Sequence, residues 1–214
     1  MVKTKELVSF LKSSPNKNFS FLQNLKIAFR PYICPFDDLL NSLPEQKSVF
    51  DFGCGGGMFL QLVANYRNPI LIGGIEIKES LISTSKSLLN NYENVRLSSY
   101  NGIDIPEWIS EYDYIFMIDV LHHIPKPYQI KHLETIFNLM KPGSRLIIKD
   151  IDAGSVFVHF NKLHDLIFAQ AVGNEKKPNE LLSNLNNIGY KIEPLQKRRM
   201  YVYPHYTIEC IKTN

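Results

Sequence analysis

From Val49 to Ile148 the chain alternates short apolar runs with longer segments whose apolar residues recur every three or four positions. The runs suit strands buried on both faces, and the periodic segments suit helices covering a sheet. Tyr128 to Met140 places Ile130, Leu133, Ile136, Phe137 and Met140 at helical spacing, and Lys78 to Leu89 does the same with Leu81, Ile82, Leu88 and Leu89. This alternation predicts an α/β fold with a doubly wound, mostly parallel sheet. Two regions lie outside it. Residues 1–45 break at Ser13-Ser-Pro-Asn-Lys-Asn18, read as helical over Phe19 to Phe29, then carry two prolines in Arg30–Phe36 that prevent one continuous helix. Beyond residue 152, Val156, Phe157, Phe160, Leu163, Ile167, Phe168 and Ala171 form a helix stripe, and another helix ends near Gly189. Tyr190 to Leu195 and Met200 to Ile211 then read as a hairpin joined by a basic turn, Lys197-Arg198-Arg199.

The stretch Val49-Phe-Asp51-Phe-Gly53-Cys-Gly55-Gly56-Gly57-Met-Phe-Leu60 is the most informative. An apolar run ends on an aspartate, alternating glycines follow, and a new periodic segment begins. A strand, a tight turn and a helix N-terminus are predicted there, with glycine required because a ligand lies against the backbone. The dinucleotide fingerprint G-x-G-x-x-G/A is not met, because Met58 or Leu60 stands where its last small residue belongs. Bulky residues at those places would hold the helix off the strand.

The pattern Asp51-x-Gly53-x-Gly55-x-Gly57 resembles motif I of the class I S-adenosylmethionine-dependent methyltransferases. Further segments follow in that family's order. Ile70 to Glu76 is an apolar strand closing on a carboxylate suited to ribose hydroxyls, a feature shared by NAD enzymes. Asn94 to Gly102 resembles the third strand and its exit loop, with Tyr100-Asn101 where many members have Gly-Asp; the Asn101 side-chain oxygen can still accept from an adenine amino group. Tyr112 to Pro125, with Asp119-Val-Leu-His122-His123, resembles the fourth-strand segment at the active-site mouth of small-molecule members, and Leu139 to Asp150 resembles the family's turn into strand five. The resemblance runs over residues 45–152. It implies a single domain with a Rossmann-like, seven-stranded sheet whose C-terminal strand is antiparallel. Within it, residues 1–45 would be a helical lid, 46–152 the cofactor-binding core, and 153–214 a substrate-side helix and hairpin. It also implies S-adenosyl-L-methionine as cofactor, held by Asp51, Gly53, Gly55, Gly57, Glu76, Asn101, Gly102 and Asp119.

Composition narrows the setting. A chain of 214 residues, 44% hydrophobic and 21% charged, is ordinary for one globular domain. No apolar stretch approaches the roughly 20 residues of a membrane span, and the opening residues lack a signal peptide's apolar run. Cys34, Cys54 and Cys210 are odd in number and widely spaced, so neither a disulfide framework nor a zinc pattern is indicated and a cytoplasmic setting is expected. A net charge of +3 gives no reason to expect a nucleic-acid partner.

The sulfonium of S-adenosylmethionine is already an excellent leaving group, so in-line methyl transfer needs chiefly alignment. A hydroxyl or ammonium acceptor needs a base as well. His122 or His123 after strand four is the first candidate for base or substrate ligand; the alternative is that the pair packs or caps its loop. Asp150 and Asp152 at the end of strand five would border the acceptor pocket, and Asp152 equally suits a helix N-cap. His205, after Pro204, would face the pocket if the proline marks a bulge or an edge. Arg30 with Tyr32 suits an anionic substrate or, for Arg30, a helix C-terminus. His164, beside the helix stripe, is a substrate-side candidate or a core histidine. No histidine spacing suits a metal, and a metal-independent enzyme is expected.

Taken together, the sequence predicts a methyltransferase acting on a small-molecule or lipid-like acceptor, with oxygen preferred. An NAD(P)-dependent oxidoreductase and a non-catalytic cofactor-binding subunit are the alternatives. The aromatic residues Phe19, Phe21, Phe29, Tyr32, Phe36, Phe157 and Phe160 suit either an apolar substrate pocket or lid and core packing.

Overall fold

The apolar runs of the first half become parallel strands in a computed structural model that describes residues 1–14, 19–155 and 174–213. The chain divides into two units, Met1–Asn101 and Gly102–Asn214. In the first, β1 (Ser48–Phe52), β2 (Leu71–Glu76) and β3 (Val95–Ser99) lie in the order 3-2-1, with Asp51 opposite Gly74 and Glu76 opposite Ser99. Every residue of β1 is buried, the polar Ser48 and Asp51 with the apolar Val49, Phe50 and Phe52, as in a strand covered on both faces. Two helices make the crossovers, α4 (Met58–Arg67) and α5 (Glu79–Leu88). Leu60 and Ala64 of α4 and Ile82 of α5 close with Ile72 and Leu97 into one buried cluster. Leu60 does not hold its helix off the sheet: a Cβ on Gly74 would stand 3.1 Å from Leu60 Cδ1 and from Cys54 Sγ, so Gly74 makes room for both.

The N-terminal segment adds α1 (Thr4–Ser13), α2 (Phe21–Phe29), a 3-10 turn over Arg30–Tyr32 and α3 (Phe36–Ser42). Helix α2 starts at a capping box, in which Gln23 N donates to Ser20 Oγ at 3.3 Å and Ser20 N donates to Gln23 Oε1 at 2.8 Å. Helix α1 buries Leu7, Val8 and Leu11.

In the second unit β4 (Tyr114–Ile118) pairs in parallel with β5 (Arg145–Ile151), and β8 (Tyr203–Ile211) runs antiparallel to β5. The far edge of β8 is covered by two pieces in succession, β6 (Lys191–Ile192) and β7 (Gln196–Met200). Helices α6 (Lys126–Leu139) and α7 (Pro178–Ile188) complete the unit, and α7 ends at Gly189 with φ +110°. Lys197-Arg198-Arg199, read from sequence as a turn, is instead the body of β7; the reversal falls at Tyr201, whose φ is +56°. Pro204 marks neither a bulge nor an edge strand. It stands second in β8, in register with Arg199, where its missing N–H is tolerated. The stripe from Val156 to Ala171, and with it His164, lies outside the described residues. No helix among the described residues is long and apolar enough to cross a membrane.

Candidate active site

Strand β1 ends where Asp51 and Phe52 hand over to the glycine turn. Gly53 N and Cys54 N both donate to Ile75 O, at 2.8 and 2.9 Å, and Gly57 N donates to Cys54 O at 3.0 Å. Gly53, Gly55 and Gly57 have φ of +79°, +53° and +84°, a region that L side chains enter at about 1–2 kcal/mol each. The surroundings of Gly55, Gly56 and Gly57 differ. At Gly57 a Cβ would lie 3.0 Å from Ser85 Cβ and 3.1 Å from Ser85 Cα, so the turn is packed against α5. At Gly55 no atom of the described residues other than its chain neighbours lies within 4 Å of that position, so its face is open among them. At Gly56, which no backbone rule requires, the ring of Phe19 comes to 2.8 Å of where a Cβ would be.

Glu76 ties this turn to the next helix. Its Oε2 accepts from Gly55 N at 3.1 Å, and its Oε1 accepts from Ile77 N and Lys78 N at 2.9 and 3.1 Å. Each carboxylate oxygen has two lone-pair directions, so one direction, on Oε2, remains for a ligand's hydroxyl. Ser85, unnoticed in sequence, is fully buried and donates to Gly55 O at 2.7 Å. Asp51 is buried, and that burial pushes its carboxyl up to about 7; the Arg30 guanidinium pulls it down and Glu76 pushes it further up. Arg30 is the C-cap of α2, its N–H donating to Ile27 O, with its guanidinium 6.0 Å from the Phe36 ring. Tyr32 stacks on Phe29 with ring centroids 6.0 Å apart. Phe36 is core, stacked on Phe59. Asn101 is exposed at the end of this unit.

The second unit holds a buried polar cluster around the ends of β4 and β5. Gly102 has φ +83°, and its carbonyl oxygen lies 2.9 Å from Nε2 of the buried His132. Asp119 follows β4 at φ +55°; its N–H donates to Lys149 O at 2.9 Å, and its Oδ1 lies 2.5 Å from Lys149 Nζ. Lys149 is fully buried, a position that an ammonium tolerates only with such a partner.

His122 and Asp150 are both buried. Asp150 Oδ2 accepts from His122 N at 3.1 Å, while Oδ1 meets the ring Nδ1 of His122 and accepts from Ile151 N at 2.8 Å. His123 is exposed, its ring centroid 4.1 Å from that of His122. So of the two candidate histidines, His122 has the oriented ring.

Asp152 serves local structure. Its Oδ1 accepts from Gly154 N at 2.8 Å and its Oδ2 pairs with Lys197 at 2.8 Å. His205 is buried in register with Ile151, its ring stacked on Tyr203. Tyr206, a residue without a role in the sequence reading, pairs in register with Asp150. Opposite residues of an antiparallel pair share one face, so Tyr206 stands beside the His122–Asp150 pair. Its hydroxyl is buried with no hydrogen-bond partner among the described residues, and burial followed by the charge of Asp150 pushes its ionisation well up. Among the described residues no group of three or more His, Cys, Asp or Glu is arranged to hold a metal ion.

A family model described as a methyltransferase domain matches residues 43–200. A ubiquinone biosynthesis O-methyltransferase of Coxiella burnetii is 30% identical over 110 residues, which is 50% of this chain and 44% of that protein. The chain thus matches less than half the length of this curated relative. Among solved structures, magnesium protoporphyrin IX methyltransferase from Synechocystis PCC 6803 with bound SAH aligns over 91% of this chain and 89% of its own, at 18% identity and a TM-score of 0.68. A SAM-dependent methyltransferase from Aquifex aeolicus aligns over 96% and 98%, at 17% identity and a TM-score of 0.66. These likenesses show the fold: a Rossmann-like, mostly parallel sheet with an antiparallel C-terminal strand.

Proposed function

We propose that the chain, which belongs to the methyltransferase-domain family, uses S-adenosylmethionine to methylate oxygen of a small, lipid-like acceptor, with His122 as the base. The observation that carries this reading is the buried pairing of His122 with Asp150. With the carboxylate holding the Nδ1 proton, the lone pair of the neutral ring lies on Nε2. That nitrogen takes the acceptor's hydroxyl proton as the oxygen attacks the methyl carbon and the carbon–sulfur bond breaks. The electron pair stays on sulfur, so the products are the methyl ether, S-adenosylhomocysteine and a protonated His122. Asp150 then stabilises the imidazolium.

The glycine turn, Glu76 and Asp51 supply the cofactor's side of this reading. The open face at Gly55 admits the ligand to the backbone, the remaining lone-pair direction on Glu76 Oε2 suits a ribose hydroxyl, and Asp51 suits a positively charged group. Phe19, lying on Gly56, supports a covering role for the N-terminal segment. The relative named as an O-methyltransferase favours oxygen over nitrogen or carbon.

The test is transfer of a labelled methyl group from S-adenosylmethionine to a panel of phenols and catechols with and without apolar tails, the product being identified by mass spectrometry. Methyl ethers that form faster on tailed acceptors support the reading. N- or C-methyl products, or none, overturn it.

A further inference from the structure

Helix α2 carries its large apolar residues on a face that the described residues leave largely exposed, although Phe29 also meets Tyr32 and Lys12. Its packed side is made by the buried Ala28, with Asn24 and Ile27 half-buried. At about 100° per residue, Phe21, Leu25, Phe29 and Leu22 instead share an adjoining arc of roughly 100°. Their exposures are 79%, 40%, 40% and 66%. Other exposed large apolar residues, such as Ile70, Ile103 and Tyr201, stand singly on separate elements and need no explanation. Four on nine residues form a patch.

The charge around the patch is one-sided. Helix α2 contains no acidic residue, and Lys26 follows Leu22 around the helix. Lys12 of α1 sets its Nζ 4.3 Å from the centre of the Phe29 ring. In sequence, residues 1–36 contain Lys3, Lys5, Lys12, Lys17, Lys26 and Arg30 against Glu6 alone. That leaves five net positive charges on this segment in a chain whose total is +3. Phenylalanines and leucines flanked by cations are the pattern of a helix lying at the boundary between lipid headgroups and acyl chains. One face of a helix about 13 Å long is small beside the roughly 800 Å² per partner of a stable protein interface.

We propose that α2 docks the protein on an anionic lipid bilayer, its apolar arc entering the headgroup boundary while Lys12 and Lys26 meet the phosphates. This does not depend on which acceptor is methylated. The full chain is sedimented with vesicles of phosphatidylcholine alone or mixed with phosphatidylglycerol. Binding is expected to the mixed vesicles and to weaken as salt rises. Phe21→Ser/Leu22→Ser lowers that partitioning at least about tenfold, and Lys12→Gln/Lys26→Gln flattens its dependence on phosphatidylglycerol. Both variants keep the wild-type circular dichroism and cofactor affinity, since they alter outward-facing positions. Three results overturn the proposal: wild-type protein that does not sediment with the mixed vesicles, a double serine variant that partitions like wild type, or a wild-type dimer, broken by the serine substitutions, that binds no vesicles.

Discussion

Asp150 grips His122 at two points, meeting the ring Nδ1 with one carboxylate oxygen and accepting the backbone N–H with the other at 3.1 Å. The two residues are 28 positions apart, and both are buried. This double hold fixes the position of the 3-10 turn over Leu121–His123 as well as the tautomer of the ring. The arrangement turns a histidine after a strand into a candidate base; its neighbour His123 is exposed, with its ring centroid 4.1 Å from that of His122.

Asp51 makes stability fall as pH rises. Its folded-state carboxyl sits at about 7, chiefly through burial. Between the ordinary carboxylate range and pH 7 the folded chain keeps a proton that the unfolded chain has released, so the folded state loses stability across that window. Asp51→Asn abolishes this loss. Urea unfolding of both proteins at low and slightly alkaline pH should show the variant gaining on wild type by about 2–4 kcal/mol as pH rises. A difference independent of pH contradicts the assignment.

Glu76 serves three backbone N–H groups, of Gly55, Ile77 and Lys78. Glu76→Ala leaves them without that acceptor and is expected to lower stability by about 1–2 kcal/mol. In calorimetric titration it lowers affinity for S-adenosylmethionine by at least about tenfold, a hydrogen-bonded carboxylate being lost. Unchanged affinity would remove Glu76 from the cofactor site.

Gly57 and Gly143 separate two kinds of glycine requirement. Their φ values are +84° and +83°, but a Cβ at Gly57 meets Ser85 at 3.0 Å while one at Gly143 meets nothing within 4 Å. Gly143→Ala should therefore cost only the backbone term of about 1–2 kcal/mol. Gly57→Ala should cost more by about 1–3 kcal/mol from overpacking. Equal losses in denaturant unfolding would show that α5 yields freely.

Lys149 and Asp119 form a pair at 2.5 Å, with the lysine fully buried. Lys149→Met leaves a half-buried carboxylate in strained backbone without its ammonium, and Asp119→Asn leaves a buried ammonium without its charge partner. Each is expected to destabilise by about 3–5 kcal/mol, with the double variant recovering much of the loss. Strict additivity in a double-mutant cycle is the contrary outcome.

Much of the frame was legible because it is written locally. Strands β1, β2 and β4 are rich in apolar residues, and the turn after β1 announces itself by glycine. Strand β7 was not legible. Gln196-Lys-Arg-Arg shows no apolar alternation, and it is a strand only because β8 offers it an edge. Helix α1 was legible only as part of a helical N-terminal segment and without bounds, because its apolar seam is short. Leu60 looked obstructive in sequence because the residue that accommodates it, Gly74, lies on the next strand. Ser85 read as one polar residue on a Ser/Lys-rich helix; only the absent side chain of Gly57 brings it against the turn. His122 and Asp150 were each visible as candidates, but their pairing and the placement of Tyr206 beside them come from β5 and β8 in register.

The most direct test is methyl transfer by wild type, His122→Gln and Asp150→Asn on one acceptor hydroxyl, with cofactor affinity measured in parallel. The account predicts that kcat falls about 10²–10⁴-fold in both variants while each binds S-adenosylmethionine as wild type does. Variants that retain the wild-type kcat would contradict it and return His122 and Asp150 to a purely structural role.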